Sequence, residues 1–110
     1  GLYFLLFQTP VPERGLTGGE LELVHPPVVV KNAPNHFEWT PVKDAAGYQF
    51  ELIDDELNTV FEGSTRENSL RIPEEIQSRL QTGRVYVWSV SAYNEVMVEV
   101  ARRAGHFTVE

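Results

Sequence analysis

An all-β fold is predicted for this 110-residue chain by three features of its sequence. Short apolar, β-branched and aromatic runs recur from Glu20 onward, separated by Pro, Gly, Asn and Asp, which is how strands and turns are punctuated. Several runs alternate with period two, so that one face is apolar and the other polar. Only one short stretch carries helical spacing.

The strands follow at short intervals. Leu21 and Leu23 alternate with Glu20 and Glu22, and Pro26-Pro27 then interrupts before Val28-Val29-Val30; proline cannot donate to a ladder, so this part belongs at a sheet edge. Phe37-Glu38-Trp39-Thr40 alternates and stops at Pro41, and Tyr48, Phe50 and Leu52 share a face opposite Gln49 and Glu51. Asp54-Asp55-Glu56 and Asn58 mark a turn into Thr59-Val60-Phe61, Gly63-Ser64 closes that strand, and Leu70-Arg71-Ile72 follows. Residues 73–80 differ: Pro73 leads, Glu74 and Glu75 come early, Arg79 late, and Ile76 and Leu80 stand four apart, which suits one or two helical turns. Residues 84–93 read as the longest strand, with Tyr86, Trp88, Val90 and Ala92 on one face and Val85, Val87, Ser89 and Ser91 on the other. Asn94-Glu95 is a turn, and Val96, Val98, Val100, Phe107 and Val109 form the final strand, either unbroken or bulged at Gly105.

Ahead of this domain, residues 1–19 read as an arm and linker. Pro10, Pro12, Gly15, Gly18 and Gly19 give residues 8–19 the composition of a connector. The run Leu2-Tyr3-Phe4-Leu5-Leu6-Phe7 has two readings. It is the end of a transmembrane helix, since six apolar residues cannot span a bilayer alone, or a strand or arm that packs on its own domain or pairs with a second copy as a homodimer. Neither a basic leader nor a cleavage site marks it as a signal peptide.

A hydrophobic content of 42% with 23% charged residues is ordinary for a globular domain. A net charge of −7 repels polyanions, so nucleic acid and anionic membrane surfaces are not expected partners. The absence of cysteine removes disulfides, thiolate–zinc sites and thiol catalysis. Asp54, Asp55 and Glu56 lack EF-hand spacing and read as a solvated turn. His25, His36 and His106 fit no metal motif, and a zinc site would need the fold to gather them. Ser64, Thr65, Ser69, Ser89 and Ser91 lack a nucleophile elbow. The pairs Glu74-Glu75 and Glu20/Glu22 read as solubility charges rather than a glycosidase dyad, and Gly18-Gly19 lacks the lysine and helix of a phosphate loop. No catalytic, metal or cofactor residues are expected. An apolar stripe of Val85, Val87 and Tyr93 beside the last strand's valines is a candidate partner surface unless the arm or residues 73–80 cover it.

Two stretches together resemble the fibronectin type III family. Phe37-x-Trp39-x-Pro41 followed by Gly47-Tyr48-x-Phe50-x-Leu52 is similar to its second and third strands, and Leu80-x-x-Gly83-x-x-Tyr86-x-x-x-Val90-x-Ala92 to the loop and sixth strand with the tyrosine corner. The resemblance covers residues 28–109. It implies an immunoglobulin-like antiparallel β-sandwich of about seven strands, over residues 20–110, with one short helical turn before the sixth strand. Trp39, Tyr48, Phe50, Tyr86 and Trp88 would fill the space between the sheets, and the Tyr86 hydroxyl would bond a backbone group near Leu80.

A narrower set of features resembles the extracytoplasmic domains of bacterial anti-sigma-factor-like single-pass envelope proteins: Arg14-Gly15, the helical residues 73–80 and Tyr86-Val87-Trp88-Ser89-Val90. No zinc-binding anti-sigma segment is present, so that likeness stops at the outer domain. The resemblance implies a non-catalytic interaction or sensory module, periplasmic or at the cell surface, anchored through a helix before residue 2 and binding a protein or envelope component. An accessory carbohydrate-binding or spacer domain of a secreted enzyme is the alternative, and a small hydrolase with a site assembled across loops is a third.

Overall fold

The computed structural model describes residues 21–110; the arm and linker, with the apolar run 2–7, Arg14-Gly15, Gly18-Gly19 and Glu20, lie outside the described residues. The described chain forms strands β1 (Leu23–His25), β2 (Val29–Val30), β3 (His36–Trp39), β4 (Gly47–Ile53), β5 (Thr59–Thr65) and β6 (Ser69–Arg71), one helical turn α1 (Glu74–Gln77), and strands β7 (Val85–Tyr93) and β8 (Glu99–Val109). It is all-β, with two sheets: β1-β3-β6, and β2-β8-β7-β4-β5.

Four details differ from the expectation. The described strands number eight rather than about seven, and the helical turn precedes the seventh. The sheets are not purely antiparallel, because β2 runs parallel to β8, pairing Val29 with Thr108 and Val30 with Val109. Pro26-Pro27 is the physical reason: with no N–H to continue the ladder, the chain leaves β3's edge after β1 and joins the other sheet as β2. The longest strand is β8 rather than β7. Its pairing with β7 is irregular between Ala92 and Tyr93, whereas Gly105 pairs in register with Trp88. Gly105 serves close approach instead, since a Cβ there would lie 2.7 Å from Leu23 Cδ1 on β1.

The alternation sets the core. Trp39, Tyr48, Phe50, Tyr86 and Trp88 are all buried, joined by Phe37 and Phe107. Phe37, on the three-stranded sheet, has its ring 4.9 Å from Phe50, 5.1 Å from Trp88 and 6.0 Å from Phe107, all on the five-stranded sheet. Rings from both sheets thus meet in one apolar cluster, which also takes Ile76 of α1 at its margin.

Two tyrosine hydroxyls tie loops to this core. The Gln81 backbone N–H donates to Tyr86 Oη at 2.8 Å, fixing the crossing from α1 to β7. The buried Val42 N–H donates to Tyr48 Oη at 3.0 Å, fixing the β3–β4 loop from the other side. Each satisfies a backbone donor that strand ladders cannot reach.

Candidate functional site

The three histidines do not converge: His25 and His36 face each other across β1 and β3 with centroids 5.8 Å apart and rings tilted by 33°, while His106 lies on β8 opposite Val87. Among the described residues no group of three or more His, Cys, Asp or Glu is placed to hold a metal ion. His36 does share a groove of about 490 Å³ with Ser64, Glu67 and Ser69. Among the described residues it makes no hydrogen bond to any of these three, so the nucleophile–base contact that acyl-transfer chemistry uses is not formed. Glu22 is bonded to Arg103 at 2.7 Å, and Glu74 and Glu75 occupy the first turn of α1.

The acidic run is a built turn rather than a merely solvated one. Asp54 Oδ1 accepts from the backbone N–H of Glu56 and of Asn58, both at 2.9 Å, while Arg84 Nη2 lies 2.5 Å from Asp55, 3.7 Å from Asp54 and 3.8 Å from Glu56. The Asn58 N–H chiefly holds the Asp54 carboxyl below its ordinary value of 3.8, against an opposing effect of burial and with help from the Glu56 N–H and Arg84. A lowered folded-state pKa means stabilisation that is complete above the unfolded value and lost as pH falls below it. The melting-temperature advantage of wild type over Asp54→Asn is therefore expected to shrink as pH drops from about 5 to about 2. A gap that stays constant over this range would contradict this role for the carboxylate.

The apolar stripe expected along β7 is not continuous. Val85 is exposed and Val87 and Tyr93 half-buried, but their β8 neighbours are Thr108, His106 and Glu99 rather than valines. Val96 and Val98 fall outside β8, in the turn. The reason is Asn94: its Oδ1 accepts from the N–H of Val96 and of Val98, both at 3.0 Å, so the turn closes only at Val98. The valines are thereby carried to the end of the molecule.

That end is the most developed candidate surface. Val96 and Met97 are each 75% exposed, and Val98 and Val100 are exposed too. The turn stands between two clefts. One, of about 440 Å³, lies against residues 44–46; the other, of about 940 Å³, extends over the ends of β4, β5 and β7. Residues 42–46 are tied in place by Ala46 N–H to Tyr93 O at 2.7 Å and Ala45 N–H to Val42 O at 3.1 Å.

A comparison within the chain sharpens the point. Residues 54–58 and 94–98 make the same turn. In each, the first residue's side-chain oxygen accepts from the third and fifth N–H groups, its own N–H bonds the fifth carbonyl, its carbonyl takes the fourth N–H, and the fourth residue has positive φ, 69° at Leu57 and 65° at Met97. The backbone is common but the side chains are not: Asp-Asp-Glu-Leu-Asn in one, Asn-Glu-Val-Met-Val in the other. The turn geometry therefore does not require the apolar Val96 and Val98, which stand where the twin has Glu56 and Asn58; the fourth position is apolar in both, Leu57 and Met97. No family model matches the chain, and no curated protein matches its sequence.

Proposed function

We propose that this chain is a non-catalytic interaction module of fibronectin type III-like, immunoglobulin-like sandwich architecture, which binds a protein partner through the β7–β8 tip and the clefts beside it. The observation that carries this reading is the exposed Val96-Met97-Val98 on a turn whose twin at 54–58 is largely polar. Isolated exposed apolar residues need no explanation, but an apolar tip fixed on two long paired strands is a preorganised anchor for a partner's pocket. The sandwich assignment is supported by strand orders β1-β3-β6 and β2-β8-β7-β4-β5, by the shared ring core, and by the Tyr86–Gln81 hydrogen bond.

The apolar residues exposed at the tip are aliphatic, which suits a protein pocket better than the ring platforms that stack on sugars. The extracytoplasmic, membrane-anchored setting belongs to the same proposal and rests on the resemblance to single-pass envelope proteins. No helix among the described residues is long and apolar enough to cross a membrane, and the anchor in this proposal is the apolar run at residues 2–7 read as the end of a membrane helix.

Met97→Gly separates binding from folding. Glycine accepts φ near 65° without the Cβ penalty, so the melting temperature is expected to hold or rise. Removing an interface anchor costs about 2 kcal/mol or more, so affinity for the partner retained by the immobilised wild-type domain is expected to fall roughly 30-fold. Leu57→Gly is the control, with unchanged affinity. Equal affinity of wild type and Met97→Gly would overturn the proposal.

A further inference from the structure

The larger cleft beside the tip carries a more specific statement about what is bound. Its floor is formed at Gly47, which stands on β4 opposite Tyr93 of β7. Alternation along β4 turns Tyr48 into the core and directs positions 47 and 49 outward, toward the cleft. Gly47 is not a glycine that the backbone demands: its φ is not positive, and a Cβ there would meet only Thr65 O, at an ordinary 3.6 Å. A side chain would fit the strand, and its absence keeps the floor open.

The walls are chemically unlike. On the β5 side stands Arg66, exposed, with no ion pair or hydrogen bond among the described residues. It differs in this from Arg84, Arg102 and Arg103, each of which holds a carboxylate. Beside it the Thr65 hydroxyl accepts the Glu67 N–H at 3.0 Å, which fixes the turn that carries Arg66. On the opposite side lie the half-buried Tyr93 and the exposed Met97, with Glu95 beyond them. A carboxylate entering the cleft is drawn to Arg66 and repelled from Glu95, while apolar atoms are received by Tyr93 and Met97.

We propose that the cleft over Gly47 receives an extended segment of the protein partner that presents an acidic side chain to Arg66 and a neighbouring apolar side chain to Tyr93 and Met97. This rests on the reading of the tip as a partner-binding surface and names the chemistry of what is bound.

The test is selection of displayed random dodecapeptides on the whole 110-residue chain, followed by binding of the enriched peptide, synthesised with blocked ends. Enrichment of Asp or Glu next to an aliphatic or aromatic residue is expected. Arg66→Gln and Gly47→Val are each expected to weaken binding at least tenfold, with melting temperatures unchanged. Gly47→Ala, for which the 3.6 Å contact leaves room, should weaken it less, and Arg79→Gln not at all. No enrichment, enrichment of basic peptides, or binding indifferent to Arg66→Gln and Gly47→Val would overturn the inference. Partner capture that is lost in Met97→Gly but intact in Arg66→Gln and Gly47→Val would overturn this cleft assignment alone and leave the tip as the binding surface.

Discussion

Trp39→Ala is expected to destabilise the domain by about 3–5 kcal/mol, read from denaturant midpoints at constant m-value. Trp39 is fully buried, with its ring 5.5 Å from Tyr48, 6.4 Å from Phe50 and 6.5 Å from Trp88. Its partners come from two strands of the opposite sheet, so the vacated space has rigid walls and does not collapse. The indole N–H makes no hydrogen bond to the described residues, so packing accounts for the effect. Trp39→Phe should then recover much of the loss. An unchanged midpoint in Trp39→Ala would mean that the ring does not lie between the sheets.

Replacing both locking tyrosines is the second large effect. Tyr48→Phe removes the acceptor for the buried Val42 N–H, and Tyr86→Phe removes the one for the partly buried Gln81 N–H. A donor left without a partner costs about 1–3 kcal/mol. The two hydroxyls hold different loops and share no partner, so the double variant should lose roughly the sum, about 2–6 kcal/mol. Amide exchange should quicken first at Val42 and Gln81, a readout that a general loss of packing would not localise. A double variant as stable as wild type would show that neither hydroxyl holds its loop.

Much of the framework was legible because burial and alternation coincide. Tyr48, Phe50 and Leu52, and likewise Tyr86, Trp88, Val90 and Ala92, face inward as their period-two spacing requires. The sheet change at Pro26-Pro27 was half legible: proline announces an edge, but which partner the next residues take depends on β8, distant in sequence. Tyr48's hydrogen bond to Val42 was missed because a hydroxyl's partner is set by three-dimensional closeness. The tip was missed for a local reason. Val96, Val98 and Val100 alternate like a strand, and only Asn94's capture of two N–H groups turns the first two of them into a loop. The available signal was Asn94 itself, whose side chain can capture backbone N–H groups two and four residues on as Asp54 does, whereas the positive φ at Met97 and Leu57 is announced by neither residue type. Gly47 was read as part of a strand motif; its open floor is visible only once Tyr93 and Arg66 stand on either side.

The proposed recognition surface is tested by placing a photoreactive amino acid at position 97 or at position 57 in cells that make the protein. The two sites share backbone geometry and are 75% and 80% exposed, so they differ in neighbourhood rather than in access. A discrete adduct with one protein from position 97, suppressed by excess wild-type domain but not by Met97→Gly, and no such adduct from position 57, is the expected result. Equal labelling from both positions, or a discrete adduct from position 57 alone, would contradict recognition through the β7–β8 tip.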